Sequence, residues 1–146
     1  MMFAVWFVLG FILAIPLLLI ANRTKAALLP HLYGGSLVIA AVIYIGFAAV
    51  WGDSRWLLIE LAGVIGYGLF YWLGVRHSLL WIALGWLLHP LWDAGLHLYG
   101  PGTHVVPHWY AIACLAFDFA VAGHIARKWQ LARVVRVILP PAPAPL

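Results

Sequence analysis

The chain has 146 residues, 66% of them hydrophobic and 8% charged, with a formal net charge of +4. Soluble domains are about half apolar and about a quarter charged, so a water-soluble globular domain, a disordered chain and a nucleic-acid-binding domain are excluded. In so apolar a chain a basic excess sets membrane orientation instead of gripping phosphates, and the single cysteine, Cys114, excludes a disulfide framework or a Cys-rich metal site.

A membrane helix needs about 20 mainly apolar residues. Stretches of this kind run over residues 5–21, 31–51, 56–74, 78–98 and 108–126. Polar or Gly/Pro punctuation separates them: Asn22–Lys25, Gly52–Arg55, Arg76–His77 and Tyr99–Gly102. The predicted fold is an all-α, polytopic membrane bundle of five transmembrane helices. The short early connections predict antiparallel packing of chain neighbours. Cleavage of the first stretch as a signal peptide is disfavoured, because no basic residue precedes it and no small-x-small site follows. Pro16 and Pro90 are expected to kink their helices. Gly63, Gly66, Gly68 and Gly74 are expected to permit close backbone approach.

Charge fixes the expected orientation. With five spans, Arg23, Lys25, Arg76, Arg127, Lys128, Arg133 and Arg136 share one side and Arg55 stands alone on the other. The positive-inside rule then puts the N-terminus outside and the C-terminus in the cytoplasm. Trp51, Trp56 and Trp109 fall at the outer boundary and Trp129 at the inner one, as an aromatic belt. Residues 1–126 form the bundle. Residues 127–146 form a cytoplasmic tail, a short basic interfacial helix over Arg127–Ile138 followed by an extended Pro-rich run.

Polar residues inside the spans carry the functional signal. Of the acids, only Asp53 sits in a loop, while Glu60, Asp93 and Asp118 lie within spans. A charge at the bilayer centre costs about 2.5–3.5 kcal/mol on insertion scales, so such groups must pair, protonate or bind something. The bland alternative is hydrogen-bonded packing glue between helices. His89, Asp93 and His97 are spaced i, i+4, i+8. At about 100° per residue each step drifts about 40°, so all three share one helix face. Imidazole and carboxylate are the usual ligands for zinc or non-haem iron where cysteine is absent. Sidedness brings Glu60, His104, His108 and Asp118 toward the same outer half. His31, His77 and His124 fall at the inner end, as boundary residues, helix-end caps or a second site.

The fourth and fifth spans read His89-Pro-Leu-Trp92-Asp93-Ala-Gly-Leu-His97, then Val106-Pro107-His108-Trp109-Tyr110, then Cys114-Leu-Ala-Phe-Asp118. This pattern resembles an uncharacterised, domain-of-unknown-function family of small bacterial multi-span membrane proteins. The resemblance implies a polar site from His89, Asp93, His97 and Asp118, and no particular reaction. Where that family often has two adjacent histidines, this chain has Leu96 and His97. A looser similarity of logic connects the chain with the alkaline ceramidase and adiponectin-receptor group, zinc hydrolases with intramembrane His and Asp ligands but a different span count.

The leading expectation is a multi-pass inner-membrane protein with an outer-leaflet site. A divalent ion, zinc or iron, is expected on His89, Asp93, His97 and His108, with Glu60 and Asp118 as catalytic carboxylates. Such a site suits a metal-dependent enzyme acting on a lipid or other hydrophobic substrate, alone, as a homo-oligomer or in a larger membrane complex. Two alternatives stand beside it. A metal or proton transporter would use the ladder His108, Asp118, His124, although these do not share a helix face. An accessory or haem- or pigment-binding subunit would use histidines as axial ligands.

Overall fold

The computed structural model describes residues 2–138; the Pro-rich run expected to be extended, 139–146, lies outside the described residues. The elements are α1 (Met2–Arg23), a 3-10 turn at Ala26–Leu28, α2 (Leu29–Trp51), α3 (Ser54–Arg76), α4 (Leu79–Trp92) running into a wider π-turn at Asp93–Leu98, and α5 (His108–Ile138). Among the described residues, five helices are long and apolar enough to cross a membrane. They coincide with the expected spans to within a few residues, except at the C-terminal end.

Local chemistry sets the boundaries. Pro30 stands in the first turn of α2, where its missing N–H costs nothing. Asp53 caps α3, Oδ1 accepting from the backbone N–H of Arg55 at 2.9 Å and of Trp56 at 3.1 Å. Ser78 caps α4 through the N–H of Leu80 at 3.3 Å. No glycine or proline interrupts the chain between His124 and Ile138, and α5 continues unbroken through this stretch. The separate interfacial helix expected over Arg127–Ile138 is therefore the end of α5. With 31 residues, α5 is about 46 Å long, more than the roughly 30 Å hydrocarbon core. Near its end the Arg133 guanidinium lies 4.7 Å from the Trp129 ring centroid.

Packing follows the order α1–α5–α4–α3–α2, with α2 also touching α4. The principal partner of α1 is thus α5, not its chain neighbour. The reason lies at Gly10, where a Cβ would strike the Ala113 carbonyl. Close backbone approach thus occurs at a glycine for which packing was not foreseen. Among the glycines of α3, Gly63 receives the Trp92 indole and Gly74 receives Ile82, while Gly66 and Gly68 face open space.

Two apolar clusters fill the bundle. One centres on Tyr33, Leu37, Ile82, Trp86, Val121 and Ile125, and the Trp86 indole N–H donates to the Tyr33 carbonyl at 3.2 Å. The other joins Tyr44, Ala48, Trp56, Val105, Val106 and Ala111. Val105 and Val106 come from the connection before α5, which therefore folds down over the helix ends. Trp56 is 7% exposed, so it belongs to this core and not to a boundary belt.

Candidate metal centre

Five ionisable side chains lie between the two clusters: Glu60 (3% exposed), His89 (1%), Asp93 (0%), His97 (0%) and Asp118 (1%). Helices α3, α4 with its π-turn, and α5 supply them. Groups so buried must be satisfied by one another or by a guest.

Proline and the π-turn shape the centre. Pro90 has no N–H to give. Just beyond it, the Asp93 N–H is shared between the carbonyls of His89 and Pro90. The ladder then widens, and the Tyr99 N–H reaches back five residues to Ala94 at 3.0 Å. Wider turns of this kind recur at functional sites. They also change the rotation per residue, yet His89, Asp93 and His97 all remain buried and all border Tyr44.

The structure draws together His89, Asp93 and Asp118, each offering one ligand atom, all within 4.8 Å of one another. His89 Nδ1 donates to Asp118 Oδ2 at 2.9 Å and stands 3.5 Å from Asp93 Oδ2. The Tyr44 hydroxyl from α2 donates to Asp93 Oδ2 at 2.7 Å. The Tyr44 ring lies between the two imidazoles, 5.4 Å from His89 and 5.3 Å from His97 by centroids. Nothing in the sequence singled out Tyr44, whose register against α4 is set by helix packing alone.

His97 pairs elsewhere. Its Nε2 lies 3.1 Å from Glu60 Oε1, and its Nδ1 donates to the Gly102 carbonyl at 3.3 Å. The Trp92 indole N–H donates to Glu60 Oε2 at 3.3 Å. Gly102 is required at this close approach, since a Cβ there would lie 2.6 Å from the Trp56 ring and 2.9 Å from His97 Nδ1. Asp118, expected as a catalytic carboxylate, thus stands where His97 was expected, beside His89 and Asp93. His108, expected as a ligand, is exposed at the first residue of α5 and does not join either set. The reason is depth, because Asp118 lies ten residues further along α5, about 15 Å inward.

A common pattern runs through the centre. Glu60 Oε1, His89 Nε2, Asp93 Oδ1 and His97 Nε2 are buried without a hydrogen-bond partner. On each of these residues the other polar atom is held: by Trp92, Asp118, Tyr44 and Gly102 respectively. Ligands oriented through their outer atoms are characteristic of metal sites. Imidazole and carboxylate together suit zinc or iron. The inner histidines do not form a comparable set. His31 bonds the Tyr71 hydroxyl at 2.9 Å, His77 ends α3, and the His124 ring lies 6.3 Å from that of Tyr33.

Beside the centre lies an apolar cavity of about 420 Å³, bounded by Leu13 of α1, Ile39 and Ile43 of α2, and Tyr110, Cys114 and Asp118 of α5. Leu13, Ile39 and Ile43 are exposed on the outer surface of the bundle, so the cavity opens sideways, and Asp118 is among its lining residues.

Curated proteins and solved structures give no match to this chain. A family of unknown function, DUF6010, matches residues 2–130, and the chain belongs to that family.

Proposed function

We propose that this is a metal-dependent membrane enzyme whose ion is held by His89, Asp93 and Asp118 and whose substrate is a lipid or another hydrophobic molecule. One observation carries the proposal: three buried ionisable side chains from two helices present ligand atoms within 4.8 Å of one another. Burying that set without a cation would be costly.

Each residue has a task in this reading. Asp93 and Asp118 supply the negative charge and His89 the nitrogen ligand. Tyr44 fixes the Asp93 carboxylate through its hydroxyl, as outer partners do at metal sites. A bound ion supplies Lewis acidity toward a substrate oxygen. Exclusion of water strengthens these electrostatic interactions. The sideways cavity supports a membrane-borne substrate, since it leads from the apolar surface to Cys114 and Asp118. The protein would sit in the inner membrane with its N-terminus outside, as the distribution of Lys and Arg favours.

Elemental analysis of the detergent-purified protein tests the proposal. The expected result is at least one equivalent of zinc or iron per chain in the wild-type protein and one equivalent fewer in His89→Ala and Asp118→Asn. A folded wild-type protein that takes up no divalent metal overturns it.

A further inference from the structure

Glu60 and His97 lie outside the group assigned to the first ion, yet their facing atoms are also unpartnered. The Gly102 carbonyl can only accept, so His97 Nδ1 carries a hydrogen. In the neutral ring, Nε2 then presents a lone pair. It faces Glu60 Oε1 at 3.1 Å, while the other carboxylate oxygen accepts from the Trp92 indole. Two acceptors this close repel unless a positive charge lies between them. A proton on Nε2 would make the two an ion pair at this separation, but the ring N–H direction does not meet Oε1 in hydrogen-bonding geometry. An ion to the side of the Nε2–Oε1 line satisfies both lone pairs. Two ligand atoms about 2.0–2.2 Å from one zinc ion at tetrahedral angles stand about 3.3–3.6 Å apart, a few tenths of an ångström more than the 3.1 Å separation seen.

We infer that Glu60 and His97 form a second divalent-cation site, one turn outward from the first, with Glu60 Oε1 and His97 Nε2 as ligands. Trp92 and Gly102 are positioning residues that aim the two ligands. Asp93 precedes His97 by four residues, and its Oδ1 is buried and free. Asp93 thus belongs to the first site and stands one turn before His97, so the two sites adjoin there. The inference rests on the first site in that adjacency alone. The Glu60–His97 pair stands on its own geometry.

Zinc titration of metal-stripped protein in detergent, read as tight equivalents per chain, tests the inference. Wild type is expected to take up two equivalents. Glu60→Gln and His97→Gln are each expected to retain one, and Asp118→Asn is expected to retain the other. Helical circular dichroism and a monodisperse elution profile establish that each variant is folded. If one histidine or glutamate variant does not fold, the other and the wild-type stoichiometry still decide. One equivalent in wild type that Glu60→Gln and His97→Gln leave intact overturns the second site and leaves the first standing. An equivalent kept by Asp118→Asn and lost by Glu60→Gln supports the second site even where the first fails. A stoichiometry of one that disappears in all three variants means a single shared ion, and overturns the inference. No bound zinc means a shared proton between Glu60 and His97, and overturns both proposals.

Discussion

Tyr44 decides which oxygen of Asp93 is left free. Its hydroxyl occupies Oδ2 from α2, and Oδ1 is the atom without a partner. Tyr44→Phe removes that donor and keeps the ring that separates His89 from His97. The expected cost is about 1–3 kcal/mol of stability, as for other buried acceptors deprived of a donor. Metal affinity is expected to fall by about 10–100-fold, as for other outer partners of metal ligands. Thermal unfolding and metal titration in one detergent check both; a variant with unchanged affinity removes Tyr44 from the account. Gly102→Ala acts from the opposite end, since its methyl group must displace the Trp56 ring or the His97 imidazole. The sequence marked Glu60, His89, Asp93, His97 and Asp118 because carboxylates and imidazoles in oil are conspicuous. It did not mark Tyr44, Trp92 or Gly102, because a tyrosine, a tryptophan and a glycine are ordinary in a membrane chain. Their roles arise only from contacts between helices.

At the scale of elements, ideal α-helical spacing put His89, Asp93 and His97 on one face, and all three are buried against Tyr44. Pro90 interrupts the ladder and the turn widens over Asp93–Leu98, and His97 pairs with Glu60 while His89 pairs with Asp118. Pro90 was legible as a disturbance, but the sense of its effect was not. His108 stays at the exposed start of α5, the boundary of its expected span, and stands apart from the buried set that Asp118 joins. Glycines give a sharper test of packing. Gly10→Val pushes a branched side chain against the Ala113 backbone, and overpacking of this kind costs about 1–3 kcal/mol. Gly66→Ala meets nothing within 4 Å, and the gain in helix propensity makes it neutral or slightly stabilising. Melting temperatures in detergent should therefore fall for Gly10→Val and hold or rise for Gly66→Ala. The reverse order would contradict the α1–α5 packing described above.

For the molecule as a whole, the five-helix architecture was legible because hydropathy and loop punctuation act on length scales that tertiary contacts do not disturb. Helix order around the bundle was not legible. The partnership of α1 with α5 depends on one close approach at Gly10, which no periodicity announces. Orientation rests on the Lys and Arg distribution. A fluorescent protein fused after α5 should therefore fold and fluoresce in the cytoplasm, and one placed before α1 should stay dark when exported through the general secretory route. Fluorescence in the opposite pattern would invert the assignment. The central claim is that the buried His89, Asp93 and Asp118 side chains grip a cation. Anomalous diffraction from crystals of the wild-type protein grown with zinc, measured on either side of the zinc edge, tests it most directly. A peak within bonding distance of all three side chains is expected; ordered side chains at the same positions, bonded to one another with no peak between them, would refute metal binding there.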